Sequence, residues 1–175
     1  MKDKKIPLIL QAVIFLIPLN IYIIGDWMGS GIQTLFFRYM QTNMGNSLIF
    51  LDREIGFIIK GQLTGKSALV SEIWLLGVVL ICIATALLLY AVIQEKPAFI
   101  RYCSLINIGG AVIFALSIVL QYGIMLNGPA GFAIPLGIPV IFCVAYLQYQ
   151  SVIPSNNQDT MIPEEDGMDE EPENP

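Results

Sequence analysis

Four long stretches without a single Asp, Glu, Lys or Arg dominate this chain: residues 6–24, 73–93, 103–126 and 130–149. At about 1.5 Å of rise per residue, each is long enough to cross a bilayer core of about 30 Å as a helix. An ionised side chain at mid-helix would cost roughly 2.5–3.5 kcal/mol on insertion, so charge-free runs are what a spanning segment requires. Backbone groups in lipid must be satisfied internally, which favours helices over isolated strands. The expected fold class is therefore an all-α integral membrane protein with four transmembrane helices. Composition agrees: the chain is 55% hydrophobic and 13% charged, against about 45–50% and about 25% in soluble domains.

Lys2, Lys4 and Lys5 precede the first stretch, as they would a signal peptide. The apolar run exceeds the roughly 7–15 residues of a signal h-region, and Ile23-Ile24-Gly25-Asp26 is a poor cleavage site, so retention as a first span is expected. Lys96 and Arg101 lie in the short connection between the second and third stretches. Basic residues concentrate on the cytoplasmic side of membrane proteins. Both termini are accordingly expected in the cytoplasm of a multi-pass cell-membrane protein, with residues 25–72 outside. The chain divides into a membrane domain, 1–153, and a tail, 154–175. The tail carries eight acids and no Lys or Arg, so within the formal charge of −5 the remaining chain holds +3. Such a tail is expected to be disordered and to stand away from anionic lipid.

The outer segment, 25–72, shows two helical spacings: Ile32, Leu35, Phe36 and Tyr39, then Leu48, Leu51, Ile55 and Ile58. Two short amphipathic helices are expected from this periodicity, with a turn at Asn43, Gly45 and Asn46. Leu48, Leu51, Ile55 and Ile58 form the candidate partner-contact stripe, beside a blander role in packing and interface anchoring that Trp27 and Tyr22 share. Asn127-Gly128-Pro129 reads as a three-residue turn of a helical hairpin between spans three and four.

Several motifs fail their physical tests. Gly61 to Ser67 imitates a phosphate loop, but only three residues separate Gly61 from Gly65 where four are needed; no nucleotide is expected. Histidine is absent, excluding His-based metal and general-base chemistry, and Cys82, Cys103 and Cys143 are too scattered for a metal site. No cofactor, metal or nucleic acid is expected. Asp52-Arg53-Glu54 reads as a solvated helix face before it reads as catalytic. Gly77, Ala84 and Ala91 on span two, and Ala111 and Ala115 on span three, are small-residue faces that let membrane helices approach. Pro135 and Pro139 are expected to kink or unwind the outer half of span four.

A long first outer loop and a short second one resemble claudin-like tetraspan proteins in loop layout only. Their outer-loop Trp/Gly-Leu-Trp motif and paired cysteines are missing here, so the resemblance implies nothing about fold detail or function. The leading expectation is a non-catalytic accessory or scaffold subunit of a membrane assembly, partnered by the lipid bilayer and by another membrane protein or a second copy. The alternative is a small oligomeric channel or carrier with a ligand or pore site at Asn107, Gln121, Gly131 and Pro135. A third reading, an enzyme acting through Asp52, Arg53, Glu54 or Glu72 at the outer surface, has no catalytic constellation behind it.

Overall fold

The computed structural model describes residues 5–25, 28–129 and 131–151. The acidic tail and Trp27 lie outside them. The elements run α1 (Lys5–Leu16), β1 (Asn20–Ile24), β2 (Gly29–Gln33), β3 (Phe37–Thr42), β4 (Gly45–Phe50), α2 (Leu51–Ile59), α3 (Gly65–Ile93), α4 (Ala98–Tyr122), β5 (Asn127–Gly128), β6 (Gly131–Ile134) and α5 (Gly137–Gln150).

This corrects the all-α, four-span, multi-pass expectation. The described residues hold five helices and a six-stranded antiparallel sheet of order β4-β3-β2-β1-β6-β5. Among the described residues only α3 and α4 are long and apolar enough to cross a membrane. The first expected span divides into α1, of 12 residues, and β1. At about 1.5 Å per residue α1 covers roughly 18 Å. Pro18 is the cause: it has no amide hydrogen to continue the helix and pushes the residue before it away from helical geometry. The β-branched and aromatic run Ile21-Tyr22-Ile23-Ile24 then suits a strand.

The fourth expected span divides in the same way into β6 and α5, which has 14 residues. Its prolines do not kink a helix. Pro135 lies ahead of α5, and Pro139 occupies its first turn, where backbone amides have no intrahelical acceptor to lose. The three-residue helical hairpin is also absent. α4 stops at Tyr122, Gly123 adopts a positive φ of 86°, and β5 and β6 form a small hairpin instead.

The outer segment is the largest departure. Ile32, Leu35, Phe36 and Tyr39 span β2, a tight turn and β3. Thr34 makes the turn: its hydroxyl accepts from the amides of Phe36 and Phe37 at 3.3 and 3.1 Å. The expected turn at Asn43 is present, but it joins β3 to β4 and not two helices. Of the expected stripe, Leu48 is on β4 while Leu51, Ile55 and Ile58 are on α2. β1 then pairs with β6, Ile21 opposite Ile134, drawing the α1–α2 and α4–α5 connections into one sheet.

Beneath the sheet, α3 and α4 pack most extensively, with α5 on α4 and α1 on α5. The small-residue faces serve this packing. Gly77, Ala84 and Ala91 are buried on α3 and Ala111 on α4. A Cβ at Gly77 would stand 2.6 Å from the Phe114 ring, closer than atoms can approach. The main core gathers Ile14, Leu19, Leu35, Val78, Ile81, Phe114 and Ile141.

Candidate functional site

Strand alternation gives the sheet two faces, because successive side chains point to opposite sides. On the face towards the helices, Asn20, Tyr22 and Ile24 of β1 stand beside Gln33 of β2 and Arg38 and Met40 of β3. They meet Ser67, Val70, Ser71 and Trp74 near the start of α3, and Ser117, Ile118, Gln121 and Tyr122 at the end of α4. Together these residues line a cleft of about 290 Å³.

Its walls are held from several directions. Tyr22 lies across β2 because its register partner is Gly31; a Cβ there would run into the Tyr22 ring. Arg38 donates to both carboxylate oxygens of Glu54 at 2.6 and 2.8 Å, and Ser71 donates to the same carboxylate at 3.1 Å. β3, α2 and α3 are thereby tied together. Lys66 donates to the Gln121 carbonyl at 3.3 Å, a cation at the negative end of α4. The expected solvated face on α2 thus holds for Asp52 and Arg53, which are exposed, and not for Glu54, which is buried.

Four buried side-chain atoms among the described residues have no hydrogen-bond partner: Asn20 Oδ1, Tyr22 Oη, Arg38 Nε and Trp74 Nε1. All four belong to residues lining this cleft. Buried polar atoms are normally paired, so unpaired ones require an explanation. Burial pushes the Tyr22 phenol above its ordinary 10.0; Arg38 lowers it and Glu54 raises it by smaller amounts. It stays neutral, able both to donate and to accept.

A second polar cluster lies among the helices and is satisfied. Asn107 donates to Gln11 Oε1 at 2.8 Å and to Gln148 Oε1 at 2.9 Å. Gln148 donates to Gln11 Oε1 at 2.9 Å and to the Pro7 carbonyl at 3.3 Å. Gln11 donates to Thr85 at 3.0 Å. The network joins α1, α3, α4 and α5.

The four residues expected to form a pore or ligand site are dispersed. Asn107 is committed to that network, and Gln121 lines the cleft. Gly131 is in β6 opposite Ile24, and Pro135 is in the link to α5. Among the described residues no group of three or more His, Cys, Asp or Glu could hold a metal ion.

The opposite face of the sheet carries an apolar row beside a polar one, Ser30, Gln41 and Asn46. Leu48 pairs with Tyr39, Tyr39 with Ile32, Ile32 with Ile21 and Ile21 with Ile134, one row across five strands. Leu48, Ile32 and Ile134 are exposed at 44%, 38% and 44%. Leu48 alone of this row was in the expected contact stripe. Ile32 and Tyr39 were hidden by the helical spacing of the segment and Ile21 and Ile134 by their place in expected spans, although the alternation of Phe37, Tyr39 and Gln41 against Arg38 and Met40 was a usable strand signal. No protein-family model matches the sequence, and no curated protein is significantly similar to it.

Proposed function

We propose that this protein is a non-catalytic accessory or scaffold subunit, held in a membrane through α3 and α4, that docks a partner protein on the apolar row across the outer face of its sheet. The observation that carries this reading is the row Leu48–Tyr39–Ile32–Ile21–Ile134. Antiparallel sheets commonly turn a polar face to water, and contiguous exposed apolar surface marks an interaction site. The buried network and the Arg38–Glu54 pair support a rigid platform beneath that face.

Membrane anchorage is supported by how little of the apolar helices the protein itself covers. Of the most apolar 18-residue stretches of α3 and α4, only 33% and 44% are buried. Leu76, Val79, Ile83, Val112 and Leu116 are among the exposed residues, as on a helix surrounded by lipid. The basic residues Lys96 and Arg101 lie at the end of the helices remote from the sheet. Lys2 and Lys4 precede α1 and Lys5 opens it, and the start of α1 meets the end of α5 through Pro7 and Gln148. That end is assigned to the cytoplasm, with the sheet outside.

Two measurements test the two halves of this reading. Val79→Lys places a charge midway along α3. It is expected to reduce the fraction retained in membranes after alkaline extraction, reflecting a cost of roughly 2.5–3.5 kcal/mol. Unchanged retention would mean that Val79 faces water. Ile32→Ser with Tyr39→Ser should leave membrane retention intact and release the partner, read as a fall in the mass of the gently solubilised complex. A particle of unchanged mass would exclude this face as the docking surface.

A further inference from the structure

The cleft and the apolar row are on opposite sides of the sheet, so partner docking does not explain the four unpaired atoms. Three of the residues that carry them are more than nine-tenths buried: Asn20, Tyr22 and Trp74 are exposed at only 3%, 6% and 5%. Arg38 Nε and Trp74 Nε1 can only donate, Asn20 Oδ1 can only accept, and Tyr22 Oη can do either. Whatever completes this set must accept at least two hydrogen bonds and donate at least one.

A carboxylate or phosphodiester accepts but does not donate when ionised, and would turn lone pairs towards Asn20 Oδ1. Among the described residues the one cation lining the cleft, Arg38, is neutralised by Glu54 at 2.6 Å, and Lys66 at its rim is turned to the Gln121 carbonyl at 3.3 Å. An ammonium group has no acceptor to offer Arg38 or Trp74. Water and hydroxyl groups do both. Trp74, Tyr122 and Ile118 add apolar surface to the wall, suited to the C–H face of a sugar ring. The volume of about 290 Å³ is at the lower limit of ligand pockets, about 300–1,000 Å³, enough for one ring and too small for a chain of them.

We propose that the cleft between the sheet and the adjoining ends of α3 and α4 binds a neutral polyhydroxyl group the size of one monosaccharide. The group is either a free sugar or cyclitol, or the glycosyl headgroup of a lipid. Ser67 and Gln121, exposed and half-buried on the cleft wall, mark where it enters. The lipid source fits the position of the cleft at one end of the two apolar helices.

The test uses the full chain carrying Trp27→Phe, which leaves Trp74 as the sole tryptophan of the two and as the fluorescent reporter. The protein is placed in phosphatidylcholine nanodiscs prepared without alkyl-glycoside detergent, whose headgroups would compete. One arm titrates free glucose, galactose and myo-inositol. A second compares discs doped with monoglucosyl- or monogalactosyl-diacylglycerol, and a third titrates phosphate and acetate at matched ionic strength. A saturable change with a neutral polyol or a glycolipid is expected, insensitive to salt because no net charge is recognised. Saturation by free sugar identifies a soluble source; saturation in the doped discs alone identifies the lipid.

Tyr22→Phe should weaken binding about tenfold, the worth of one buried hydrogen bond. It should leave the thermal midpoint without ligand unlowered, because it removes a hydroxyl that has no partner in the fold. Asn20→Leu carries the same binding expectation if Tyr22→Phe fails to fold. The proposal is overturned by the lack of any saturable response to neutral polyols or glycolipids, by a response confined to the anions and abolished by salt, or by undiminished affinity in the folded variants. The free-sugar arm, repeated on the chain outside discs, does not need α3 in lipid, so its outcome is separable from that of the membrane reading.

Discussion

Asn107→Leu is expected to destabilise the helical assembly by about 3 kcal/mol in reversible unfolding. The substitution removes donors to Gln11 at 2.8 Å and to Gln148 at 2.9 Å. Gln11 keeps Thr85 and Gln148 as partners. Gln148 Oε1 keeps only the Cys103 thiol at 3.8 Å, a weak donor, and becomes a nearly unpaired carbonyl in a low-dielectric interior. The cost then arises more from the stranded carbonyl than from the two hydrogen bonds that the leucine cannot make. The triple variant Gln11→Leu, Asn107→Leu, Gln148→Leu should consequently lose less than the sum of the three single variants. Additive losses would mean that the three amides act independently. A neutral Asn107→Leu would release Asn107 for the ligand or pore role that its polarity suggests in sequence.

The second large effect is expected at Gly131, and it is a backbone effect. Gly131 has a φ of +118°, a region that residues with a Cβ rarely enter. An alanine Cβ would collide with the Ile23 carbonyl oxygen and come within 2.9 Å of the Gly25 amide nitrogen. Both are backbone atoms of β1 and its continuation, so no rotamer change relieves the clash. Gly131→Ala should cost at least about 3 kcal/mol from conformational strain and lost β1–β6 pairing, measured as a lowered denaturation midpoint. Gly109→Ala is the matched control: nothing lies within 4 Å of its added Cβ, and in the interior of α4 alanine is favoured over glycine by about 1 kcal/mol. If the two variants unfold alike, the close approach of β6 to β1 is not a constraint on the fold.

Some of the departures from expectation had local signals. Pro18 breaks the first apolar stretch. Gly29-Ser30-Gly31 and the alternation through residues 37–42 are poor helix material. The helical spacing of Ile32, Leu35, Phe36 and Tyr39 prevailed because a hairpin whose tight turn lies between two apolar residues reproduces that spacing by coincidence. The cleft had no comparable signal. Tyr22, Arg38, Trp74 and Tyr122 come from four elements, and neither Tyr22 nor Trp74 is adjacent in sequence to any residue it shares a wall with. Glu54 could be separated from its exposed neighbours Asp52 and Arg53 only once Arg38 was placed across from it.

What the sequence determined by itself is the apolar helical pair. An uncharged run of such length, with Gly77, Ala84 and Ala91 recurring on one side, has few other ways to satisfy its backbone, and the information is contained within each segment. α3 and α4 accordingly formed where hydropathy put them, both beginning earlier than expected, at Gly65 and Ala98, and α4 ending earlier, at Tyr122. The sheet was decided only by tertiary structure. A strand's hydrogen bonds belong to its neighbours, so whether Asn20–Ile24 and Gly131–Ile134 are strands or ends of helices depends on their reaching each other, and nothing in either segment alone contains that fact. The cleft and the apolar row inherit this dependence, since both are products of register between strands distant in the chain.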